Sequence, residues 1–449
     1  MADRDPYRLL GGRVGELLLR PWFDRVALRW VAGLYFPLSR AWAAAADVDG
    51  RPERFWDGIG GPRSGGQRLL ARRALGATAA RRRRYEAAEA AFQAVAFGGA
   101  DGDLAGATEA RTRAAHRFMA ARGLFLPLHL ARRIPPVLAE VATPGEALAA
   151  QAARLSGAAP LWPPPEPRPL ERSRAFESGG VRTFWLRFRS PVLGDLCQVR
   201  VEEPCGRPAT GTVVSLHGLG MENEFWRGLA DPLAPEVPRG LRVVRPEGPW
   251  HGRRRPAGRY GGEPMLGRGP LGVVELFQAW VAEVALLIGH LRAEYAEPLA
   301  LAGVSMGALT AQLLLCAAAG WPAPLTPDAA LLVATSGAPG ELAERASLGR
   351  ALGMPAAVRA AGWDEASLSR IEPLLTPLGE PALPPERIVM LLGAVDELVP
   401  FAGGLALARR WRLSEQNLFV RRQGHFAVSL GLLADKAPIG RLLAAMGQG

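Results

Sequence analysis

The chain has 449 residues, of which 49% are hydrophobic and 22% charged, enough apolar material to exclude a disordered or fibrous protein and enough length for two folding units. Its net charge of +11 comes almost wholly from arginine, with Lys436 the one lysine, and this balance fits a solvated, salt-bridged surface better than a nucleic-acid interface, so no nucleic-acid partner is expected. Cys197, Cys205 and Cys316 form no CxxC pair and no cluster at zinc spacing, so neither a disulfide framework nor a metal is implied.

Met1 to Gly12 mixes Asp3 and Asp5 with arginines instead of leading into an apolar run, so a secretory signal is not expected and the cytoplasm is the expected location. The most lipid-like stretch, Val26 to Ala46, is broken by Arg29, Pro37 and Arg40, short of the ~20 clean apolar residues of a membrane span. From Met1 to about residue 165 the Ala, Arg and Leu spacing predicts a mainly helical region, for example over Tyr85–Phe97 and Glu109–Leu130. Pro52 to Gly66 reads as a glycine-bearing loop. Thr143, Pro144 and Glu146 form an N-cap signature that predicts a helix to about Leu155. Trp22, Phe23, Trp30, Tyr35, Phe36 and Trp42 lie among arginines; they suit either packing against the rest of the chain or an interfacial face, which makes a peripheral anionic membrane a second candidate partner and location.

Five prolines between Leu161 and Arg174 mark a boundary, because proline fixes φ and removes the amide that helices and ladders need. From there to Gly449 short β-branched runs alternate with helical patterns, which predicts an α/β fold around a mainly parallel sheet. Eight strands are expected, near Arg182–Phe188, Gln198–Glu202, Thr212–Leu216, Leu241–Pro246, Ala300–Val304, Ala330–Ala334, Ile388–Gly393 and Asn417–Arg421. The intervening helices are expected at Pro270–Tyr295, Met306–Ala319, Gly403–Trp411 and Val428–Met446. Between the sixth and seventh strands, about residues 337–385, the patterns at Leu342–Leu352 and Asp364–Leu375 predict a small helical lid. Its leucines, Met354 and Trp363 suit either an apolar, lipid-like acyl substrate or core packing.

Gly303-Val304-Ser305-Met306-Gly307 is a GxSxG motif between a strand and a helix. A serine hydroxyl is a weak nucleophile and must stand exposed on a tight turn, which glycines on both sides permit. Its base must be one of six histidines. His116 and His129 lie in the helical region, His290 on the amphipathic helix before the turn, His217 beside an earlier strand and His251 in an Arg-rich loop. His425 remains, after an expected strand and a Gly turn. An acid is expected between serine and histidine in chain order, at a strand end, and Asp396 fits ahead of Glu397 and Asp364. Gly267 to Gly272 spells GxGxxG, but no strand precedes it and Pro270 interrupts it, so a dinucleotide site is not expected. No cofactor is implied.

Through His217-Gly218-Leu219-Gly220, GVSMG, Asp396-x-x-Val-Pro and Gly424-His425, the segment from about Ser173 to Gly449 resembles the α/β-hydrolase superfamily. GVSMG and the Arg245–Pro256 loop, PEGPWHGRRRP at its core, are similar to an esterase-like branch with a helical extension. The resemblance implies an α/β-hydrolase fold and a serine acyl hydrolase, with Ser305, Asp396 and His425 as catalytic residues acting on ester, thioester or amide bonds through an acyl-enzyme. It implies an oxyanion hole from the Leu219 and Met306 amides. His217, Trp250, His251 and Arg253 are candidate substrate contacts, although His217 reads better as a buried turn residue, and the three consecutive arginines could hold a phosphate or carboxylate. An acyltransferase using the same three residues and a membrane-associated scaffold are the alternatives.

Overall fold

A computed structural model describes residues 15, 19–48, 52–61, 64–220, 231–338 and 347–447. The apolar runs of its second half form one sheet of strands β1 (Glu171–Arg172), β2 (Phe176–Ser178), β3 (Val181–Arg189), β4 (Leu196–Pro204), β5 (Gly211–Leu216), β6 (Leu241–Pro246), β7 (Leu299–Val304), β8 (Ala329–Val333), β9 (Ile388–Gly393) and β10 (Leu418–Arg421). The order is β1-β3-β4-β6-β5-β7-β8-β9-β10, with β2 on β3. Strands β5 to β10 pair in parallel, while β3 and β4 run antiparallel at one side. The expected eight strands are present, and β1 and β2 add two that are too short to show an alternating pattern.

Alternate residues of the central strands face opposite layers, as the two-residue period of a strand requires. Val214, Val244, Leu301, Leu332 and Met390 pack with Trp280, Leu287 and Leu313 of the Gly269–Glu294 and Met306–Ala318 helices. Their neighbours Val213, Val243, Ala300, Leu331 and Val389 pack with Val428, Leu432, Ile439 and Leu442. Burial on both faces is why β7, β8 and β9 read as apolar runs, whereas β6 carries Arg242 and Arg245 beside its valines. The latter four residues belong to two helices, His425–Ala434 and Ala437–Ala445, not to the single helix expected over Val428–Met446, because Pro438 starts a new helix. Gly269–Glu294 is, among the described residues, long and apolar enough to cross a membrane, but 78% of its apolar window is buried within the protein.

The N-terminal part consists of helices Pro21–Trp30, Phe36–Ala46, Pro52–Ile59, Gly65–Phe97, Leu104–Met119 and Leu126–Arg132. Pro52–Ile59 corrects the expected loop. Proline is favoured at the first helical position, and Phe55 and Ile59, four residues apart, are both fully buried. Thr143 and Glu146 form the expected capping box, although the helix pauses at Gln151. Between Trp30 and Phe36 the chain makes a π-helical turn, Val31–Tyr35. Pro37 has no amide to offer the Gly33 carbonyl four residues back, which loosens the turn. The freed Gly33 carbonyl instead accepts from His129 Nε2 at 2.9 Å.

These helices share a core with the rest of the chain: Phe36, Trp42, Phe55 and Phe118 pack in one cluster with Tyr260, Leu352 and Met354. At its centre the Arg40 guanidinium donates to both oxygens of Glu263 at 2.8 and 2.6 Å, and the two side chains are 1% and 0% exposed. The six aromatics expected to act together split accordingly. Phe36 and Trp42 are buried, Phe23 and Tyr35 are half-buried, and Trp22 and Trp30 are exposed.

Candidate active site

Parallel pairing brings the carboxyl ends of β5, β7, β8 and β9 to one edge, with Leu216 opposite Gly303 and Arg421 opposite Gly393, the position where open α/β sheets hold their ligands. Ser305 follows β7 with φ 55° and ψ −115°, a strained backbone for a residue with a Cβ. Its amide donates to the Val333 carbonyl at 2.8 Å, which holds the turn open. A side chain at Gly303 would collide with the Gly307 backbone, and one at Gly307 with the Leu216 carbonyl. Both glycines are therefore required by packing.

His425 Nε2 lies 3.0 Å from Ser305 Oγ, and its Nδ1 lies 2.8 Å from Asp396 Oδ2. The second oxygen of Asp396 accepts from the Leu398 and Val399 amides at 2.9 and 2.8 Å, so the carboxylate cannot turn away. Burial pushes the His425 imidazole down, but the Asp396 charge and hydrogen bond, with a smaller contribution from Asp24, outweigh it and leave the group raised above the ordinary histidine value. The alternative acids lie elsewhere: Asp364 caps the Glu365–Ile371 helix through the Ser367 amide, and Glu397 is exposed while Asp396 beside it is buried.

Leu219 and Met306 flank the serine from two directions. Met306 is the first residue of the helix after Ser305, where amides lack partners within the helix. The Leu219 loop is pinned on three sides. Its His217 Nε2 accepts from the Gly248 amide at 3.0 Å, Gly220 donates its amide to His251 Nε2 at 3.1 Å, and Tyr35 Oη donates to the Gly220 carbonyl at 3.2 Å. The Gly220 amide is thereby occupied.

Of the Arg245–Pro256 segment, Arg245 lines the cavity beside Ser305, as does His217, whereas Trp250, His251 and Arg253 are not among the described residues lining it. His251 is fully buried and its Nδ1 lies 2.8 Å from the Pro249 carbonyl; burial pushes its imidazole down to about 4, so the ring serves as a neutral strut. Trp250 is also buried. Arg253 pairs with Glu89 at 2.5 Å, Arg254 grips Asp195 and Glu283 at 2.8 and 2.7 Å, and Arg255 lies over the Trp42 ring at 4.6 Å. Each of the three guanidiniums thus has a partner inside the protein.

That cavity has a volume of about 1220 Å³. Met306 and Leu309 form its floor beside the serine, Phe23, Ala27 and Val31 one wall, and Met354, Trp363 and Leu368 another. Two residues that brace the site carry no motif: Tyr35, which lines the cavity, and Asp24, which does not. Asp24 is buried, 8% exposed, and accepts from the Phe426 and Ala427 amides at 2.6 and 3.3 Å. It lies 401 positions before His425 in the chain (425 − 24), so no local pattern announces it.

Residues 213–434 match the sequence profile of the alpha/beta hydrolase family. Curated proteins give no match. Among solved structures the chain is similar to TT1662 from Thermus thermophilus, at 21% identity over 58% of this chain and 97% of that one with a TM-score of 0.40. It is also similar to acetyl xylan esterase 1 from a Thermoanaerobacterium species, at 15% identity over 66% and 96% with a TM-score of 0.43. A third is brefeldin A esterase, a bacterial homologue of human hormone sensitive lipase, at 18% identity over 70% and 87% with a TM-score of 0.40.

Proposed function

Because this chain belongs, through residues 213–434, to the alpha/beta hydrolase family, we propose that it is a serine hydrolase that cleaves carboxylic esters of apolar acyl chains through an acyl-serine intermediate. The observation that carries this reading is the continuous hydrogen-bonded line from Asp396 through His425 to a strained, forward-facing Ser305.

In this reading His425 Nε2 takes the Ser305 hydroxyl proton as Oγ bonds to the ester carbon. Asp396 holds the ring tautomer and stabilises the imidazolium without taking the proton. The carbonyl oxygen becomes an oxyanion that the Met306 and Leu219 amides receive, each contributing about 2.7–4 kcal/mol in comparable sites. Collapse breaks the bond to the alcohol oxygen, which leaves with the proton from Nε2. Water, deprotonated by the same nitrogen, then attacks the acyl-serine, and the carboxylic acid departs as Ser305 is restored. The segment from Ser347 to Leu375 acts as a lid, because its apolar residues wall the cavity and would keep water from the acyl-enzyme.

The cavity favours a long acyl chain over a short one. A series of model esters from acetyl to palmitoyl tests this. kcat/KM is expected to rise with chain length, by up to about fifteenfold for every two methylenes fully buried against apolar wall, until the cavity is filled. Turnover confined to acetyl esters would contradict the substrate assignment, and transfer of the acyl group to an added alcohol instead of water would redefine the activity as acyl transfer.

A further inference from the structure

The helix that begins at His425 has Gly424 at its N-cap, which has no side chain to cap it, yet the exposed amides of a first helical turn need acceptors. Asp24, on the Pro21–Trp30 helix, supplies them from the other end of the chain. The fit is close on both sides: any side chain at Gly424 would strike the Asp24 carboxyl. The Asp24 helix is itself tied at its far end, since Tyr35, which ends the π turn, donates to Gly220 and accepts from Arg122 Nη1 at 3.2 Å. Asp24 is thus a buried carboxylate on a segment tied at both ends, bonded to the two peptides that follow His425.

We propose that Asp24 is a positioning residue for His425, which makes the N-terminal helix part of the catalytic apparatus. The inference rests on the serine-hydrolase reading above. By fixing the amides of Phe426 and Ala427, Asp24 fixes the backbone from which the imidazole reaches Ser305, and its charge favours the imidazolium that forms when the serine proton is taken. The groups facing His425 among the described residues are Ser305 and Asp396 from the sheet edge and Asp24 from the N-terminal helix. Burial raises the Asp24 carboxyl while the two amides and the His425 charge lower it, so the two groups are coupled in both directions, as linkage requires.

The test uses the full chain carrying Asp24→Asn, which keeps size and an acceptor oxygen but loses the charge. The imidazole resonances of His425 are titrated by NMR in both proteins. The midpoint is expected to fall by about 0.5–1 pH unit in Asp24→Asn, with kcat for a model ester down about tenfold and KM within about twofold. An unchanged midpoint and kcat beside a lowered melting temperature would overturn the proposal and leave Asp24 as a cap alone. If Asp24→Asn does not fold, the Asp24 carboxyl is titrated by ¹³C NMR in wild type and in His425→Gln. Its midpoint is expected to rise when the imidazolium is removed, and an unmoved midpoint overturns the proposal. The NMR readouts need no substrate, so they judge Asp24 even if wild-type protein turns over no ester, a result that would instead sink the hydrolase reading.

Discussion

Replacing Ser305 or His425 with alanine is expected to lower kcat for any ester the wild type turns over by about 10⁴- to 10⁶-fold, and the double variant should be little worse than either single one. The reason is the geometry: a hydroxyl at 3.0 Å from Nε2 acts with the imidazole as one unit, so removing either partner removes proton transfer and nucleophile activation together. A residual rate over water should persist, since the amide donors and the cavity remain. KM should change little in both variants, because neither side chain is needed to bury the acyl chain. Steady-state turnover at high enzyme concentration measures the effect, and a loss smaller than about tenfold in either variant would remove Ser305 and His425 from the chemistry.

The second large effect concerns stability. Arg40→Ala is expected to cost about 3–5 kcal/mol, because it leaves the Glu263 carboxylate fully buried without its cation. Glu263 also accepts from the Leu138 amide at 3.0 Å and the Tyr260 amide at 3.1 Å, so the carboxylate joins the N-terminal helices to the segment after β6. The loss should therefore appear as a lower denaturant midpoint for the whole chain. Arg40→Met with Glu263→Gln should recover part of it, since the buried charge is removed while the Gln oxygen can still accept from the Leu138 or Tyr260 amide. A cost below about 1 kcal/mol for Arg40→Ala would show that Glu263 is solvated in solution.

The sheet is legible in the sequence because β7 to β9 are buried on both faces and are apolar runs of five or six residues, while β5 and β6 keep the valine pairs Val213-Val214 and Val243-Val244 at their centres. The grouping of Ser305, Asp396 and His425 is legible for a related reason: each follows a strand of one parallel sheet, so all three loops open at the same edge. What the sequence hides is the direction a loop faces. PEGPWHGRRRP looks like a basic loop over a site, but the partners that turn it inward, Glu89, Asp195 and Glu283, are scattered along the chain and carry no common pattern. Asp24 and Tyr35 are hidden in the same way, since their partners are backbone groups of Gly220, Phe426 and Ala427, which any sequence provides. The Pro52–Ile59 helix was obscured by Gly58, which is small because Ala44 packs against it.

The central claim is that Ser305 is an activated nucleophile. Wild-type protein treated with a serine-directed fluorophosphonate should gain the mass of one phosphonyl group, located on the peptide that contains Ser305, and His425→Ala should react far more slowly. An unmodified protein under conditions where a reference serine hydrolase reacts fully, or an adduct borne by a different residue, would contradict the account.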